Sequence, residues 1–317
     1  MPERVLLVRL SAIGDVVMAL PAAASIKASN PGAQVAWVID HRLRELVIGH
    51  PCVDRVYALF TDRKARRNPA RWRVMVQQHR RIAEFSADVG VDLHGHTKSA
   101  LPLYFSKAKR KLTLEPKDAL SRALGGRAVR VSETMHRVDA YLEAIREAGF
   151  PFRRYSFDLP INDAIRGSVQ RRLGDGGWIT IHLGGTHPNK LWPIERFITA
   201  GKALVERGER VLIVGGASEQ SMAQRFQQQV EATSTVGETG LLELAEVIRR
   251  ARLHLSGDTG SAHIAAAVGT RCVTVFGHMP AAVYHPFGQP DAVVQAGRSA
   301  ADVSVEMVLQ KIEERLK

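Results

Sequence analysis

The sequence predicts an α/β protein made of two doubly wound, parallel-sheet halves, and three observations carry that expectation. Short apolar, β-branched runs alternate with stretches of helical spacing along the chain. The alternation is interrupted once, between Phe150 and Asn162, by Pro151 and Pro160, and then restarts. Several of the apolar runs end in glycine turns such as Gly184-Gly185, Gly215-Gly216 and Gly277, the punctuation expected where a strand hands over to a helix. At 317 residues the chain is long enough for two cores, and the interruption sets the expected domains at 1–155 and 156–317.

In the first half, Arg4 to Leu10 reads as a strand, broken by Ser11-Ala12-Ile13-Gly14-Asp15 before a helix from about Val16 to Ser29. Gln34 to Ile39 is the second strand, His41 to Gly49 a helix, and Arg55 to Leu59 the third strand. A basic loop follows, then a helix over Pro69 to Ser86, a strand over Ala87 to Leu93, a short helix over Thr97 to Ser106 and a strand over Arg110 to Leu114. Arg137 to Ala148 is a helix closed by Gly149 and Pro151. In the second half the strands are Trp178 to Leu183, Arg210 to Val214, the run holding Leu253 and Leu255, and Arg271 to Phe276. Helices are expected over Ile194 to Glu206, Glu219 to Glu231, Leu241 to Ala251, the alanine-rich segment after Gly260, and Val303 to Leu316.

Composition narrows the function classes. Hydrophobic residues at 45% and charged residues at 24% are ordinary for a soluble globular protein. No apolar run approaches the roughly 20 residues that span a bilayer. The apolar start at Val5 is broken by Arg9 and Asp15, which does not suit a signal-peptide core. Two cysteines far apart, Cys52 and Cys272, suggest neither a disulfide framework nor a zinc site, and a reducing cytosol fits.

The net charge of +12 is unevenly placed. Residues 1–160 carry 27 Lys and Arg against 16 Asp and Glu, whereas residues 161–317 carry 17 against 16. The excess concentrates in Arg63, Lys64, Arg66, Arg67, Arg71, Arg73, Arg80 and Arg81, and again at Lys107, Lys109, Arg110 and Lys111. A uniformly basic protein would charge both halves, so the first half is expected to meet an anionic partner. Nucleic acid is disfavoured because helix-turn-helix and aromatic RNA-binding signals are missing and aromatics are only 6%.

Chemistry concentrates at the expected strand ends, where ligands of doubly wound sheets bind. Asp15 either caps the following helix or accepts a proton from a bound hydroxyl. The loop from Ser11 to Val16 holds only Gly14, not the three glycines of a dinucleotide fingerprint, which argues against a nicotinamide dehydrogenase. Leu255-Ser256-Gly257-Asp258-Thr259-Gly260-Ser261-Ala262-His263 reads as strand, tight turn and helix start; it is an ordinary βα turn or a cradle for nucleotide phosphates. In His182-Leu183-Gly184-Gly185-Thr186-His187-Pro188-Asn189-Lys190-Leu191-Trp192-Pro193, Lys190 precedes a helix start, where its ammonium can neutralise charge on a departing diphosphate. No Asp-x-Asp pair occurs in the chain, so no metal is expected and neutralisation is assigned to Lys190 and backbone dipoles.

Taken with Arg9-Leu10-Ser11-Ala12-Ile13-Gly14-Asp15, Asp92-Leu93-His94-Gly95-His96-Thr97-Lys98-Ser99-Ala100 and Lys190-Leu191-Trp192-Pro193, the Asp258 to His263 segment makes the chain resemble glycosyltransferase family 9, the lipopolysaccharide heptosyltransferases. The resemblance runs in register over the whole chain. It implies the GT-B fold, two Rossmann-like doubly wound domains facing a central cleft, with an N-terminal acceptor domain and a C-terminal ADP-heptose domain. It also implies an inverting single displacement in which Asp15 is the general base and Lys190 stabilises the leaving ADP. Thr186, Gly216, Glu219, Asp258, Thr259, Gly260 and His263 are then the donor residues, with Glu219 at the ribose. Ser11, Gly14, Arg63, Lys64, Arg66, Arg67 and Lys98 fall on the acceptor side. No cofactor is implied. The partners are ADP-heptose, Kdo-lipid A or inner-core lipopolysaccharide and the anionic inner-membrane surface, with the enzyme cytoplasmic and peripherally attached.

Two features depart from the family pattern. A single Thr186 stands behind two glycines where type I enzymes tend to carry adjacent threonines, and Gly277-His278-Met279-Pro280 lacks the threonine usual after that glycine. The Asp92 to Ala100 segment and the Ser-x-x-Gly-Asp start favour type I, which adds the first heptose to Kdo; type II and a GT-B-like nucleotide-sugar epimerase are the alternatives. His278 and the His94/His96 pair receive no role.

Overall fold

The computed structural model describes residues 1–61, 69–185 and 187–317. The chain divides into two compact units, Met1–Pro160 and Ile161–Lys317. The boundary lies beyond the expected 155/156 because the extended segment after Phe150 is tied to the first unit. Phe152 N–H donates to Ser29 Oγ, Arg154 N–H to Ser25 Oγ, and Tyr155 O–H to Asp139.

The first unit holds a sheet of β1 (Arg4–Val8), β2 (Gln34–Asp40), β3 (Arg55–Leu59), β4 (Val89–Asp92), β5 (Arg110–Leu114) and β6 (Arg127–Val129), in the order β3-β2-β1-β4-β5-β6. Every pairing is parallel. Val5 to Val8 and Val35 to Asp40 are fully buried, as continuous apolar runs are when helices cover both faces of a sheet. The helices are α1 (Ile13–Ser29), α2 (Pro69–Glu84), α3 (Thr97–Phe105), α4 (Ala119–Leu124) and α5 (Arg137–Glu147). Most of α1 is buried, which its alanines permit because small side chains let α5 approach closely. The expected helix over His41 to Gly49 is instead a 3₁₀ turn, His41–Leu46. Asp40 accepts the N–H of Arg42 and both tightens that turn and pairs with the Arg42 guanidinium.

The second unit repeats the plan with β7 (Ile179–His182), β8 (Val211–Val214), β9 (Thr233–Ser234), β10 (Leu253–Gly257), β11 (Cys272–Phe276) and β12 (Val293–Gln295), in the order β12-β11-β10-β7-β8-β9. Its helices are α6 (Asp163–Leu173), α7 (Ile194–Glu206), α8 (Gln220–Gln227), α9 (Leu241–Arg249), α10 (Gly260–Ala267), α11 (Ala281–Tyr284) and α12 (Val305–Leu316). Its core joins Ile181, Trp192, Phe197, Phe226, Leu255 and Val275.

Both strand orders reverse direction once, between β1 and β4 and between β7 and β10. At such a point neighbouring loops leave on opposite faces, so the carboxyl ends of these two strand pairs are where each unit can admit a ligand. Among the described residues no helix is long and apolar enough to cross a membrane.

Candidate active site

In the first unit the reversal point is occupied by Asp15. It sits in the first turn of α1, whose N-cap is Ala12, so the expected choice between cap and base resolves into a carboxylate that does reach the helix start, from the third position. Ala12 N–H donates to its Oδ2 at 3.2 Å, Arg9 Nη2 pairs with Oδ2 at 2.6 Å, and Tyr141 O–H donates to Oδ1 at 3.2 Å. The helix begins at Ile13, earlier than the expected Val16, so Gly14 lies buried within its first turn.

Arg9 is the keystone of this arrangement. Its guanidinium is buried, donates from Nη1 to Leu93 O at 2.6 Å, and so ties the end of β1 to the loop after β4. Burial disfavours its charge, but the Asp15 carboxylate and the Tyr141 hydroxyl together outweigh that penalty and raise its pKa. The Tyr141 ring, fully buried on α5, lies 5.4 Å from the Arg9 guanidinium and 5.9 Å from that of Arg137. Burial pushes the phenol pKa up, so Tyr141 remains a proton donor. Lys98 Nζ donates to Ser11 Oγ at 3.2 Å, its pKa lowered by burial and by Arg9.

Asp92 ends β4 fully buried and accepts from His94 N–H, Gly95 N–H and Ser99 O–H. Burial still pushes its carboxyl up to about 6. His94 is pushed down to about 2 by burial and then by the charges of Arg9 and Lys98, which keeps the ring neutral. His96 stacks edge-on against His94 with centroids 5.4 Å apart and lies 3.5 Å from Asp118.

In the second unit the loop after β7 lies against the ends of β10 and β11. A Cβ on Gly257 would stand 2.9 Å from Lys190 O, and one on Gly277 would stand 2.1 Å from Asn189 O. Both positions therefore demand glycine if the loop is to lie there. The loop delivers Lys190 Nζ to Asp258 Oδ2 at 2.6 Å, an ion pair in which Asp258 is 7% exposed. Thr259 is the N-cap of α10 and Gly260 its first residue, so the amides of the first turn open toward the loop end. Thr259 Oγ1 lies 2.9 Å from Ser261 Oγ, and His263 is buried one turn into the helix. Glu219 curls back so that Gly216 N–H donates to it at 2.5 Å.

Thr186, Arg63, Lys64, Arg66 and Arg67 lie outside the described residues. His278 is exposed, its ring 5.6 Å from that of His187. Among the described residues no three His, Cys, Asp or Glu side chains stand where they could share a metal ion. Sequence reasoning gave no role to Arg9, Tyr141, His182, His254 or Ser261. Only the placement of Arg9 and His182 at strand ends could have singled any of them out.

Comparison with known proteins agrees with this fold. The family glycosyltransferase family 9 (heptosyltransferase) matches residues 75–313. Lipopolysaccharide heptosyltransferase 1 of Pseudomonas aeruginosa is 29% identical over 291 residues, covering 86% of this chain and 78% of that protein. The structure of Escherichia coli heptosyltransferase WaaC with ADP superposes with a TM-score of 0.84 at 23% identity, covering 98% of this chain and 99% of that one. Escherichia coli ADP-heptose lipopolysaccharide heptosyltransferase II gives 0.80 at 17% identity, covering 99% and 98%. The two sheets are those of a GT-B glycosyltransferase, and the chain belongs to glycosyltransferase family 9.

Proposed function

We propose that the chain transfers heptose from ADP-L-glycero-D-manno-heptose to Kdo of the lipopolysaccharide inner core, as a type I heptosyltransferase, by a single inverting displacement. The observation that carries the reading is the carboxylate of Asp15 held at the reversal point of the first sheet by Arg9, Tyr141 and the Ala12 amide. A base must be fixed before the reaction if its proton transfer is to lower the barrier.

Asp15 takes the proton of the acceptor hydroxyl as that oxygen attacks the anomeric carbon. The bond from that carbon to the diphosphate oxygen breaks in the same step, and the electron pair leaves with ADP. Lys190 meets the growing charge, helped by the amides at the start of α10 around Thr259 and Gly260. Glu219, Gly216 and Thr186 take the nucleoside and phosphate side, and Asp258 and His263 face the donor heptose. Ser11, Gly14 and Lys98 lie on the acceptor side, and the basic cluster at Arg63, Lys64, Arg66 and Arg67 guides an acceptor carrying carboxylates and phosphates. The reaction so written requires no cofactor. Attachment to the cytoplasmic face of the inner membrane follows from the same basic half.

The type I assignment is supported by the Pseudomonas aeruginosa relative named lipopolysaccharide heptosyltransferase 1, 29% identical over 86% of this chain. Incubation with ADP-heptose and Kdo-lipid A, followed by mass measurement of the lipid, tests it. One added heptose is expected. Transfer only to lipid that already carries a heptose would mean type II, and conversion of donor without acceptor would mean an epimerase.

A further inference from the structure

Beneath the donor loops of the second unit runs a chain of polar side chains that the transfer mechanism does not use. Thr180 Oγ1 lies 2.9 Å from His254 Nδ1, and His254 Nε2 lies 3.0 Å from Ser261 Oγ. Ser261 Oγ lies 2.9 Å from His182 Nδ1. At the outer end His182 Nε2 faces Glu219 Oε2 across 4.0 Å, too far for a hydrogen bond. Thr180 and His254 are fully buried, whereas the side chains of His182 and Glu219 are 16% and 18% exposed.

The direction of the chain follows from counting protons. Burial lowers the pKa of both histidines, that of His254 to about 3, so each ring carries one proton. The Glu219 carboxylate opposite Nε2 favours the tautomer with that proton on Nε2. His182 Nδ1 then accepts from a hydroxyl, that of Ser261 or that of Thr259 at 3.2 Å, Ser261 accepts from His254 Nε2–H, and His254 Nδ1 accepts from Thr180 O–H. With Nδ1 engaged as an acceptor by the buried hydroxyls, the His182 ring presents its Nε2–H outward, on the side of Glu219.

A donor and an acceptor facing each other across 4.0 Å match one hydroxyl group, which accepts from Nε2–H and donates to the carboxylate. An oxygen set beside the gap can lie about 2.8 Å from both. Glycines keep the edges of the gap open. A Cβ on Gly215 would stand 2.9 Å from Glu219 Oε2 and 3.4 Å from His182 Cδ2, and one on Gly184 would stand 2.8 Å from Glu219 Oε1. Ser218 O–H and Gly216 N–H hold the carboxylate in place.

We propose that His182 is a specificity-determining residue of the donor site, reading with Glu219 a single ribose hydroxyl of the nucleotide through its Nε2–H. The inference rests on the reading that Glu219 lies at the nucleoside, and adds the partner that makes recognition of the hydroxyl two-sided. Both faces of the site are left unpaired when that hydroxyl is missing, so a deoxy analogue is rejected more strongly than by either group alone.

The test is calorimetric titration of the full chain with ADP, 2′-deoxy-ADP and 3′-deoxy-ADP. Wild type is expected to bind one deoxy analogue about tenfold or more less tightly than ADP. His182→Leu should weaken ADP by a comparable factor yet leave that analogue's binding almost unchanged, and raise the donor KM with little change in kcat. His182→Gln, whose amide nitrogen reaches the Nε2 position, should restore part of the discrimination. Equal weakening of all three nucleotides by His182→Leu would make the residue merely structural and overturn the proposal, as would equal binding of all three by wild type. Failure of wild type to bind ADP would overturn the donor-site reading as well. Proton–nitrogen correlation NMR of wild type is independent of any variant's folding: a neutral Nε2–H tautomer at His182 is expected, and an Nδ1–H tautomer would refute the inference.

Discussion

Replacing Asp15 by asparagine should damage this protein twice, and the two effects can be separated. The carboxylate is both the proposed base and the counter-charge of a guanidinium whose side chain is only 8% exposed. Removing one partner of a buried ion pair costs about 3–5 kcal/mol when nothing replaces it. Asp15 itself is 29% exposed, and asparagine retains an oxygen for the Ala12 amide, so about 1–3 kcal/mol is expected here. In a domain of this size that lowers the melting temperature by about 2–4 °C per kcal/mol. Turnover should fall by about 10² or more, with ADP binding nearly intact. The double variant Arg9→Met/Asp15→Asn removes the stranded charge along with its partner. It should melt higher than Asp15→Asn alone while remaining equally inactive. Thermal unfolding followed by circular dichroism and an ADP-release assay with ADP-heptose and Kdo-lipid A give the two readouts. Turnover of Asp15→Asn within tenfold of wild type would place the base elsewhere. Because Arg9→Met also removes the bond to Leu93 O, the single variant Arg9→Met completes the cycle; effects that add within about 0.5 kcal/mol would show that Arg9 gains nothing from Asp15.

Lys190→Ala should reduce turnover more than donor affinity, because its interaction grows as the diphosphate departs; a variant impaired only in ADP binding would assign Lys190 to ground-state recognition. Gly277→Ala should displace the loop that carries Lys190, since its Cβ would stand 2.1 Å from Asn189 O, and donor KM should rise while the second unit stays folded; unchanged KM would refute that packing argument. Asp92 should titrate near pH 6 in carbon-detected NMR. Its raised pKa means that the folded state holds the proton more tightly than the unfolded chain does, so its contribution to stability falls as pH rises from about 4 to 6, and Asp92→Asn should remove that slope. Raising salt should increase the apparent KM for the acceptor and hardly that for the donor, since exposed charges are screened over a Debye length of about 8 Å near physiological ionic strength. Neutralising Arg63, Lys64, Arg66 and Arg67 together should mimic high salt; an unchanged salt response would remove that cluster from acceptor binding.

The central strands were legible because each is a near-continuous apolar run, the pattern imposed by burial on both faces. The edges were not. Arg127–Val129, Thr233–Ser234 and Val293–Gln295 are two or three residues long, too short for a period to show. The helix Asp163–Leu173 was missed for a related reason: Val169 is its one fully buried side chain, so no apolar stripe marks it. The segment after His41 has the composition of a helix, but Asp40 binds the Arg42 amide and guanidinium and draws the chain into a tighter turn. There a side-chain interaction overrode local propensity.

The site divides along a similar line. The placement of Asp15, Lys190, Asp258 and Thr259 was readable because each follows an apolar run that proves to flank a reversal of strand order. Their partners were not, because those contacts join distant parts of the chain. Tyr141 lies 126 positions from Asp15 and shares a helix face with ordinary core residues, so nothing local separates its phenol from a packing aromatic. His182 and Ser261 are 79 positions apart, and the hydrogen-bond chain that links them continues to a third residue, His254, on the neighbouring strand β10. Sequence thus displays the groups that chemistry would place at strand ends, while charge state and proton direction belong to the packing beneath them. It follows that exchanging Tyr141 or His254, neither of which the reaction touches, should alter how Asp15 and His182 perform, although no sequence motif includes either residue.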